Sequence, residues 1–145
     1  MTDIKRITEI DNEIIDAIEK LIPQLTPNYK LPSINELELI LNNNDTHLLG
    51  LYYENKIVGI LTIIVNKMLT GNKAWIEDVV IDSYMRGKNM GEILVKFAID
   101  YTIKNLNVTS INLTSAPDRI AANKLYKKVG FIQRNTNIYR FTIEN

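Results

Sequence analysis

The spacing of apolar residues changes along the chain from the period of helices to that of strands and back. After a short strand at residues 4–8, a helical period begins near Asp11 and is expected to stop at Pro23. Residues 24–32 are predicted as a loop, and Ser33 opens a second helix with a capping box. The first part of the chain is therefore predicted as strand, helix, loop and helix.

The middle of the chain has the period of strands. Three runs at residues 46–53, 56–66 and 74–82 alternate or are continuously apolar. A two-residue turn at residues 54–55 separates the first two runs, and a longer loop precedes the third. This order predicts an antiparallel meander.

The last part returns to helices alternating with strands. We predict the longest helix at residues 90–105, a strand at residues 110–114, a helix that Asp118 caps and that ends near Gly130, and a final strand at residues 138–143. A strand, helix, strand unit after a meander indicates a mixed α/β sheet with helices on both faces. The 145 residues are expected to form a single domain.

Composition excludes several kinds of chemistry. The chain has no cysteine, which excludes disulfides, thiolate metal sites and catalysis through an enzyme thiol. The single histidine, His47, argues against a zinc site and is interpreted as an ordinary residue at the start of a strand. No apolar run reaches the roughly 20 residues that span a bilayer. The charged N-terminus lacks the apolar core of a secretion sequence, so we expect a cytoplasmic protein without a membrane segment.

The net charge of zero argues against nucleic acid as the main partner, but the charges are unevenly placed. Residues 1–82 hold 7 Lys and Arg against 13 Asp and Glu, whereas residues 83–145 hold 10 against 4. An anionic small molecule would be attracted to the second part. Accidental segregation of charge is the alternative interpretation.

A short glycine-containing motif lies between the third strand of the meander and the longest helix. It consists of Arg86-Gly87-Lys88-Asn89-Met90-Gly91 and is called the glycine turn below. Backbone N–H groups at a helix N-terminus favour negative charge, so a diphosphate fits there. Gly87 and Gly91 allow close approach, while Arg86 and Lys88 add charge-assisted contacts. The ending of a Walker loop is missing, and a turn without function is the alternative.

Three segments together resemble the GCN5-related N-acetyltransferase superfamily. They are Glu77-Asp78-Val79-Val80-Ile81-Asp82 with the glycine turn, Ala122-Asn123-Lys124-Leu125-Tyr126, and Gly130-Phe131. The resemblance is strong over residues 75–131 and follows the order of elements over nearly the whole chain. It implies an acetyl-CoA-dependent enzyme without a metal, in which the fourth and fifth strands splay apart to admit the pantetheine arm.

The resemblance also assigns cofactor contacts to individual residues. The backbones of Val79, Val80 and Ile81 would bond the pantetheine arm and the acetyl group. The pyrophosphate would lie on the glycine turn, that is on Arg86, Gly87, Lys88, Asn89, Met90 and Gly91. Asn89 stands where the superfamily has a glycine, and asparagine is the non-glycine residue that best tolerates a positive φ.

Attack of an amine on a thioester requires a base, groups that stabilise the oxyanion, and an acid for the departing sulfur. The resemblance implies that Tyr126 is the acid and that Asn123 binds the cofactor, and their i, i+3 spacing places both on one helix face. A packed aromatic residue is the alternative for Tyr126. Glu77 and Asp78 are candidates for holding the acceptor amine, and Glu77 is also the candidate base. On a regular strand they would point to opposite faces, so only one would face a given site.

Glucosamine 6-phosphate N-acetyltransferases are similar to this chain in three places. These are Gln24-Leu25-Thr26, residues 77–80, and Tyr139-Arg140-Phe141. By this resemblance Thr26 and Arg140 contribute to a sugar phosphate site, and the final strand crosses to the partner in a homodimer. Residues 115–125 instead resemble superfamily members of unassigned substrate. Another small amine, a peptide amine, and a sensor that binds acetyl-CoA without turnover are the alternatives.

Overall fold

The computed structural model describes residues 1–144 and follows the predicted order of elements as far as the last helix. The elements are β1 (Thr2–Arg6), α1 (Asn12–Leu25), α2 (Ile34–Asn42), β2 (Thr46–Tyr53), β3 (Lys56–Asn66), β4 (Lys73–Ile81), α3 (Met90–Asn105), β5 (Ile111–Asn112) and α4 (Ile120–Lys128), with a short 3₁₀ turn at Ser83–Met85. The chain divides into two compact units, residues 1–114 and residues 115–145. The first unit contains the whole sheet and α1 to α3, and the second contains α4.

The five strands lie in the order β1-β2-β3-β4-β5. All neighbours are antiparallel except β4 and β5, which are parallel. Glu54 and Asn55 form the predicted turn between β2 and β3 with φ values of 49° and 65°. Two positive φ values in a two-residue loop match the right-handed twist of a hairpin. The predicted mixed, mostly antiparallel sheet is confirmed.

Helices lie on both faces of this sheet, as predicted. Leu48, Ile60 and Val80 point to one face and join a buried cluster formed with apolar residues of α1 and α2. Side chains alternate along strands, so Leu49 and Leu61, both completely buried, lie on the opposite face. There α3 packs against β3 and β4. The sheet is therefore buried on both sides at its centre.

Helix α1 begins as predicted but continues beyond its proline. The Asp11 carboxylate caps the helix by accepting the Ile14 N–H at 2.8 Å. Pro23 was expected to end the helix and does not, since α1 runs on to Leu25. Proline removes one backbone donor, and near the last turn this costs a single hydrogen bond. The prediction was wrong at Pro23 because the apolar face of α1 remains buried on the sheet.

The second helix has the predicted cap. The Ser33 hydroxyl accepts the Glu36 N–H at 3.2 Å and so satisfies one free donor of the first turn of α2. Leu37 and Leu41 on the inner face of α2 are buried in the same cluster as α1. Capping and burial therefore fix the position of α2 together.

The second unit differs from the prediction at two places. Arg119, not Asp118, occupies the N-cap position of α4, and the Arg119 side chain makes no capping hydrogen bond. No strand forms at residues 138–143 within the described part of the chain, although a strand was predicted there. The apolar side chains of this segment are exposed, among them Tyr139 at 88% and Phe141 at 93%. A strand needs a neighbour to pair its backbone groups, and alternation alone does not supply one.

None of the helices in residues 1–144 combines the length and the apolar character that crossing a membrane requires.

His47 lies buried at the start of β2, as interpreted from the sequence. Its Nδ1 atom lies 2.9 Å from the Tyr101 hydroxyl of α3, and the two rings pack edge to face. Burial, followed by the positive charge of Arg6, lowers the pKa of His47 and outweighs the opposing effects of Asn44 and Asp45. The folded chain therefore binds a proton at His47 less readily than the unfolded chain does.

This difference predicts a loss of stability in mild acid. As the pH falls below about 6.5, the ordinary pKa of histidine, the unfolded chain gains the proton first. The free energy of unfolding should decrease from there until the lowered pKa is reached. Urea unfolding at several pH values between 7.5 and 5 measures this change in the free energy of unfolding. Because His47 is the single histidine, His47→Gln should show a flatter profile in this interval, and an equal slope in both proteins would contradict the assignment.

Candidate active site

The candidate site is built around the side of β4 that faces β5. The pairing of β4 with β5 is limited to Ala74 with Ile111 and Trp75 with Asn112. Beyond Trp75, the backbone of β4 pairs with no strand on this side within residues 1–144. The fourth and fifth strands therefore part after two residue pairs, which agrees with the splayed strands that the sequence predicted.

The register with β3 shows which backbone groups point into this open side. The Asp82 N–H donates to the Val58 carbonyl at 2.8 Å, and Val80 pairs with Ile60. Hydrogen-bonded positions alternate along an antiparallel strand, so Val80 directs its N–H and C=O toward β3. Ile81 and the carbonyl of Val79 therefore face the open side, where the Ile81 carbonyl already accepts from Arg86 Nε at 3.1 Å. These two residues are best placed to bond an extended ligand lying along β4.

The regular alternation of β4 is broken just after Glu77, at Asp78 and Val79. Thr62 pairs with Glu77 and Ile60 pairs with Val80, so two residues of β4 stand opposite Leu61 alone. Asp78 accommodates this bulge with a φ of 53°. The expectation that Glu77 and Asp78 point to opposite faces assumed a regular strand, and that assumption was wrong here. Both side chains are exposed.

The electrostatics of this carboxylate pair favour proton uptake. Partial desolvation raises the pKa of Asp78. Desolvation also raises the pKa of Glu77, and the charge of Asp78 adds to the effect. The pKa of Tyr29, in the segment after α1, is raised by burial and then by the charges of Asp78 and Glu36. Sequence reasoning did not identify Tyr29, because its proximity to Asp78 depends on tertiary packing.

The glycine turn has the backbone conformation that its sequence predicted. Gly87 has a φ of 77° and Asn89 a φ of 62°, so two of its residues are left-handed. Asn89 thus adopts the left-handed conformation that asparagine tolerates best among non-glycine residues. It is also the N-cap of α3, and its side chain makes no capping bond. The first turn of α3 can therefore donate backbone N–H groups to an anionic group.

The turn also leaves room for a ligand. A Cβ atom added at Gly87 would meet nothing within 4 Å. Arg86 and Lys88 flank this position with exposed side chains, whereas Met90 is buried and anchors the start of α3. Gly91 lies in the first turn of the helix. Space, a helix N-terminus and two cations are what a diphosphate requires, so the turn fits the pyrophosphate of acetyl-CoA.

Arg86 is held by acceptors of the protein itself. Its Nε donates to the Ile81 carbonyl at 3.1 Å, and its Nη2 donates to the Gln24 side-chain oxygen at 3.4 Å. Gln24 and the buried Asp82 were not assigned a role from the sequence. A charged residue at the end of a buried strand is unusual and could have indicated Asp82. Arg86 and Gln24 are 62 residues apart in the sequence, so no local sequence pattern could indicate their contact.

The second unit presents two of the predicted site residues on α4. Asn123 donates from its side chain to the Ala116 carbonyl at 2.9 Å, which ties α4 to the preceding segment. Tyr126 is buried, and its ring packs edge to face on Phe131 with centroids 5.9 Å apart. Burial raises the pKa of Tyr126 despite the opposing charge of Arg119. The phenol therefore keeps its proton at neutral pH.

The two residues assigned to a sugar phosphate lie in exposed segments of different units. Thr26 ends α1, and its backbone N–H donates to the Ile22 carbonyl at 2.9 Å. Arg140 belongs to the exposed segment that follows α4 in the second unit. Within residues 1–144, no group of three or more His, Asp or Glu side chains is arranged to hold a metal ion.

Comparisons with solved structures agree with this architecture. An aminoglycoside acetyltransferase from an uncultured soil metagenomic sample superposes with a TM-score of 0.87 at 20% identity, covering 99% of this chain and 97% of that one. Glucosamine-6-phosphate N-acetyltransferase from Arabidopsis thaliana gives 0.78 at 24% identity, with coverage of 97% and 98%. Ribosomal-protein-alanine N-acetyltransferase from Brucella melitensis gives 0.73 at 15% identity, with coverage of 98% and 100%. At these identities the likeness shows the fold.

No curated protein matches the sequence of this chain. The model of the Acetyltransferase (GNAT) family, in contrast, matches residues 12–131 and so includes β4, the glycine turn and α4. Because that match extends over most of the sequence, the chain belongs to the GNAT family of acetyltransferases.

Proposed function

We propose that this chain transfers an acetyl group from acetyl-CoA directly to the primary amine of a small molecule. The observation that carries the proposal is the continuous path formed by the unpaired side of β4 and the glycine turn at the N-terminus of α3. Val79 and Ile81 would bond the pantetheine arm, and Arg86, Lys88 and the turn amides would bind the pyrophosphate. Asn123 is proposed as a further cofactor contact.

We further propose that the two units act as one acetyltransferase domain, because the family match spans both. Homodimer formation belongs to the same proposal. The segment at residues 138–143 has the alternation of a strand and exposed apolar side chains. Pairing with a second copy would give its backbone groups the partners that a strand requires.

Acetyl-CoA would supply the activated acetyl group and a thiolate leaving group. Glu77 would accept a proton from the acceptor amine, directly or through water, and its raised pKa makes it a stronger base than an ordinary carboxylate. Tyr126 would donate the proton that the departing sulfur needs. Its pKa is raised by burial, so the acid form is present at neutral pH. Backbone N–H groups on the open side of β4 would stabilise the charge that develops on the acetyl oxygen.

Glucosamine 6-phosphate is the first candidate for the acceptor. Its support is the sequence resemblance at Gln24-Leu25-Thr26, at residues 77–80 and at Tyr139-Arg140-Phe141. In this assignment Thr26 and Arg140 contact the sugar phosphate, while Glu77 and Asp78 hold the amine. The structural likeness to a plant enzyme of that name is consistent with it at the level of the fold.

The carboxylates near Tyr29 favour a second class of acceptor. The negative charges of Asp78 and Glu36 add to the effect of burial in raising the pKa of Tyr29, and Glu77 is adjacent to Asp78 in the sequence. Negative charge here would attract an amino sugar or polyamine with several ammonium groups and would repel a phosphate. The structural neighbour that acetylates aminoglycosides has the same fold. A cationic acceptor without phosphate is therefore the alternative.

The first experiment is to measure thiol release from acetyl-CoA with a panel of amines. The panel contains glucosamine 6-phosphate, glucosamine, a polyamine, an aminoglycoside and a short peptide. We expect release with glucosamine 6-phosphate to exceed that with glucosamine. Preference for the aminoglycoside or the polyamine would instead select the cationic class. Binding of acetyl-CoA without release for any amine would contradict the enzymatic proposal and favour a sensor.

Replacing Tyr126 by phenylalanine tests the proposed acid. Phenylalanine keeps the packing on Phe131 and removes the proton donor, so kcat should fall by about 10²-fold while the affinity for acetyl-CoA stays near normal. Steady-state kinetics and calorimetric titration with acetyl-CoA separate the two effects. Tyr139→Phe, at an exposed position of the same unit, is the matched control. Unchanged kcat in Tyr126→Phe would remove Tyr126 from the mechanism.

Replacing Arg140 by alanine tests the proposed phosphate contact. Loss of one charge-assisted hydrogen bond should raise the KM for glucosamine 6-phosphate by about tenfold and leave the KM for an unphosphorylated amine unchanged. Arg134→Ala, at another exposed arginine of the same segment, is the control. An equal change for both acceptors would contradict a phosphate-specific role of Arg140.

A further inference from the structure

The side chain of Gln24 links the end of α1 to the segment between β4 and α3. Its oxygen accepts the Ser83 N–H at 2.9 Å and a guanidinium N–H of Arg86 at 3.4 Å. Its nitrogen donates to the Asp82 carboxylate at 3.3 Å and to the Lys20 carbonyl at 3.2 Å. One side chain thus makes three contacts with the residues that lead into the glycine turn.

The chemistry of these partners defines the orientation of the Gln24 amide. Both partners of the oxygen are donors, namely an N–H and a guanidinium, and both partners of the nitrogen are acceptors. An inverted amide would face two donors with N–H groups and two acceptors with an oxygen. The bonding capacity of the amide is therefore fully used in this one orientation.

Asp82 provides a firm anchor for this arrangement. Its side chain is almost completely buried and forms an ion pair with Lys20 at 2.9 Å. Burial alone would raise the pKa of Asp82, but hydrogen bonds from Lys20 and Gln24 outweigh it and lower the pKa. Asp82 therefore remains charged, and the donors from α1 are held against it. The last turn of α1 is fixed to the end of β4 by charge as well as by apolar packing.

The contact to Gln24 restrains the Arg86 side chain. With Nε on the Ile81 carbonyl and Nη2 on Gln24, the plane of the guanidinium is fixed. A guanidinium has five N–H donors, so three remain for a ligand. A cation that is already ordered loses less entropy when it binds a phosphate than a free arginine side chain does.

We propose that Gln24 is a positioning residue for the pyrophosphate of acetyl-CoA. It acts from α1 on Ser83 and Arg86 and holds the entrance of the glycine turn in the conformation that binds phosphate. This inference rests on the proposed function, because it concerns the same cofactor site. It adds a residue 62 positions before Arg86 to that site.

The test compares a cofactor that has the pyrophosphate with one that lacks it. Gln24→Met keeps the length and the helical preference of the side chain but removes the hydrogen bonds. We expect the KM for acetyl-CoA to rise by about tenfold, since contacts to charged groups are lost, with kcat unchanged. The KM for S-acetylpantetheine, which has no phosphate to position, should not change. Gln133→Met in the exposed C-terminal segment is the matched control.

The outcomes separate this inference from the proposed function. Equal changes for both acetyl donors, or no change with either, would overturn the role of Gln24 while leaving the acetyltransferase intact. A wild-type protein without turnover would count against the proposed function. In that case, calorimetric binding of CoA and pantetheine by wild type and variant tests Gln24 alone. Gln24→Asn, which keeps the amide and shortens its reach, replaces the methionine variant if that variant unfolds.

Discussion

The site depends on one constraint, the loss of backbone pairing on the outer side of β4 after Trp75. A strand inside a sheet normally has its N–H and C=O groups paired on both sides. Here β5 pairs with two residues of β4 only, and the chain then leaves the ladder. The Ile81 carbonyl accepts from Arg86 Nε, and the other backbone groups of Val79 and Ile81 on this side pair with no strand in the described residues. A ligand with amide groups along an extended arm can complete the missing ladder, which is how a strand edge binds a peptide.

Fixing that open side requires support from both faces of the sheet. Val80 and Ile60 belong to the apolar cluster with α1, and Leu61 lies on the face that α3 covers, so the centre of the sheet is packed on both sides. At its end, Asp82 is bound by Lys20 of α1. The bulge at Asp78 changes the direction of the strand between these supports. Apolar packing therefore holds the strand, and the ion pair between the exposed Lys20 and the buried Asp82 holds the segment that leads into the glycine turn.

Local chemistry determined which parts of the fold could be predicted from the sequence. The bounds of β2, β3 and α3 follow from alternation, from the turn at Glu54 and Asn55 and from the glycine turn, and these predictions were confirmed. Prediction failed where the local structure depends on contacts with residues distant in the sequence. Pro23 stays helical because α1 is buried on the sheet. Residues 138–143 have no neighbouring strand among the described residues of the second unit, up to residue 144, and alternation could not reveal this.

The same distinction applies to the site. The left-handed conformation of Asn89 could be predicted because asparagine itself tolerates a positive φ, whatever its neighbours are. The bulge at Asp78 and the contacts of Gln24 depend on the register of β3 and on the end of α1. The roles of Tyr126, Asn123, Thr26 and Arg140 remain predictions from resemblance.

The choice of acceptor depends on how the charges near β4 are balanced. Glu77 and Asp78 lie at the start of the bulge, and desolvation raises the pKa of each. A single ammonium group would satisfy one carboxylate and leave the other to act as the base. A phosphorylated amino sugar would also need a cation that offsets the repulsion between its phosphate and this pair. Arg140 is the cation proposed for that role from the resemblance, whereas an acceptor with several ammonium groups needs none. The carboxylates of Glu77 and Asp78 thus favour a cationic acceptor, whereas Arg140 would favour a phosphorylated one. The charge of the acceptor therefore distinguishes the two candidate classes.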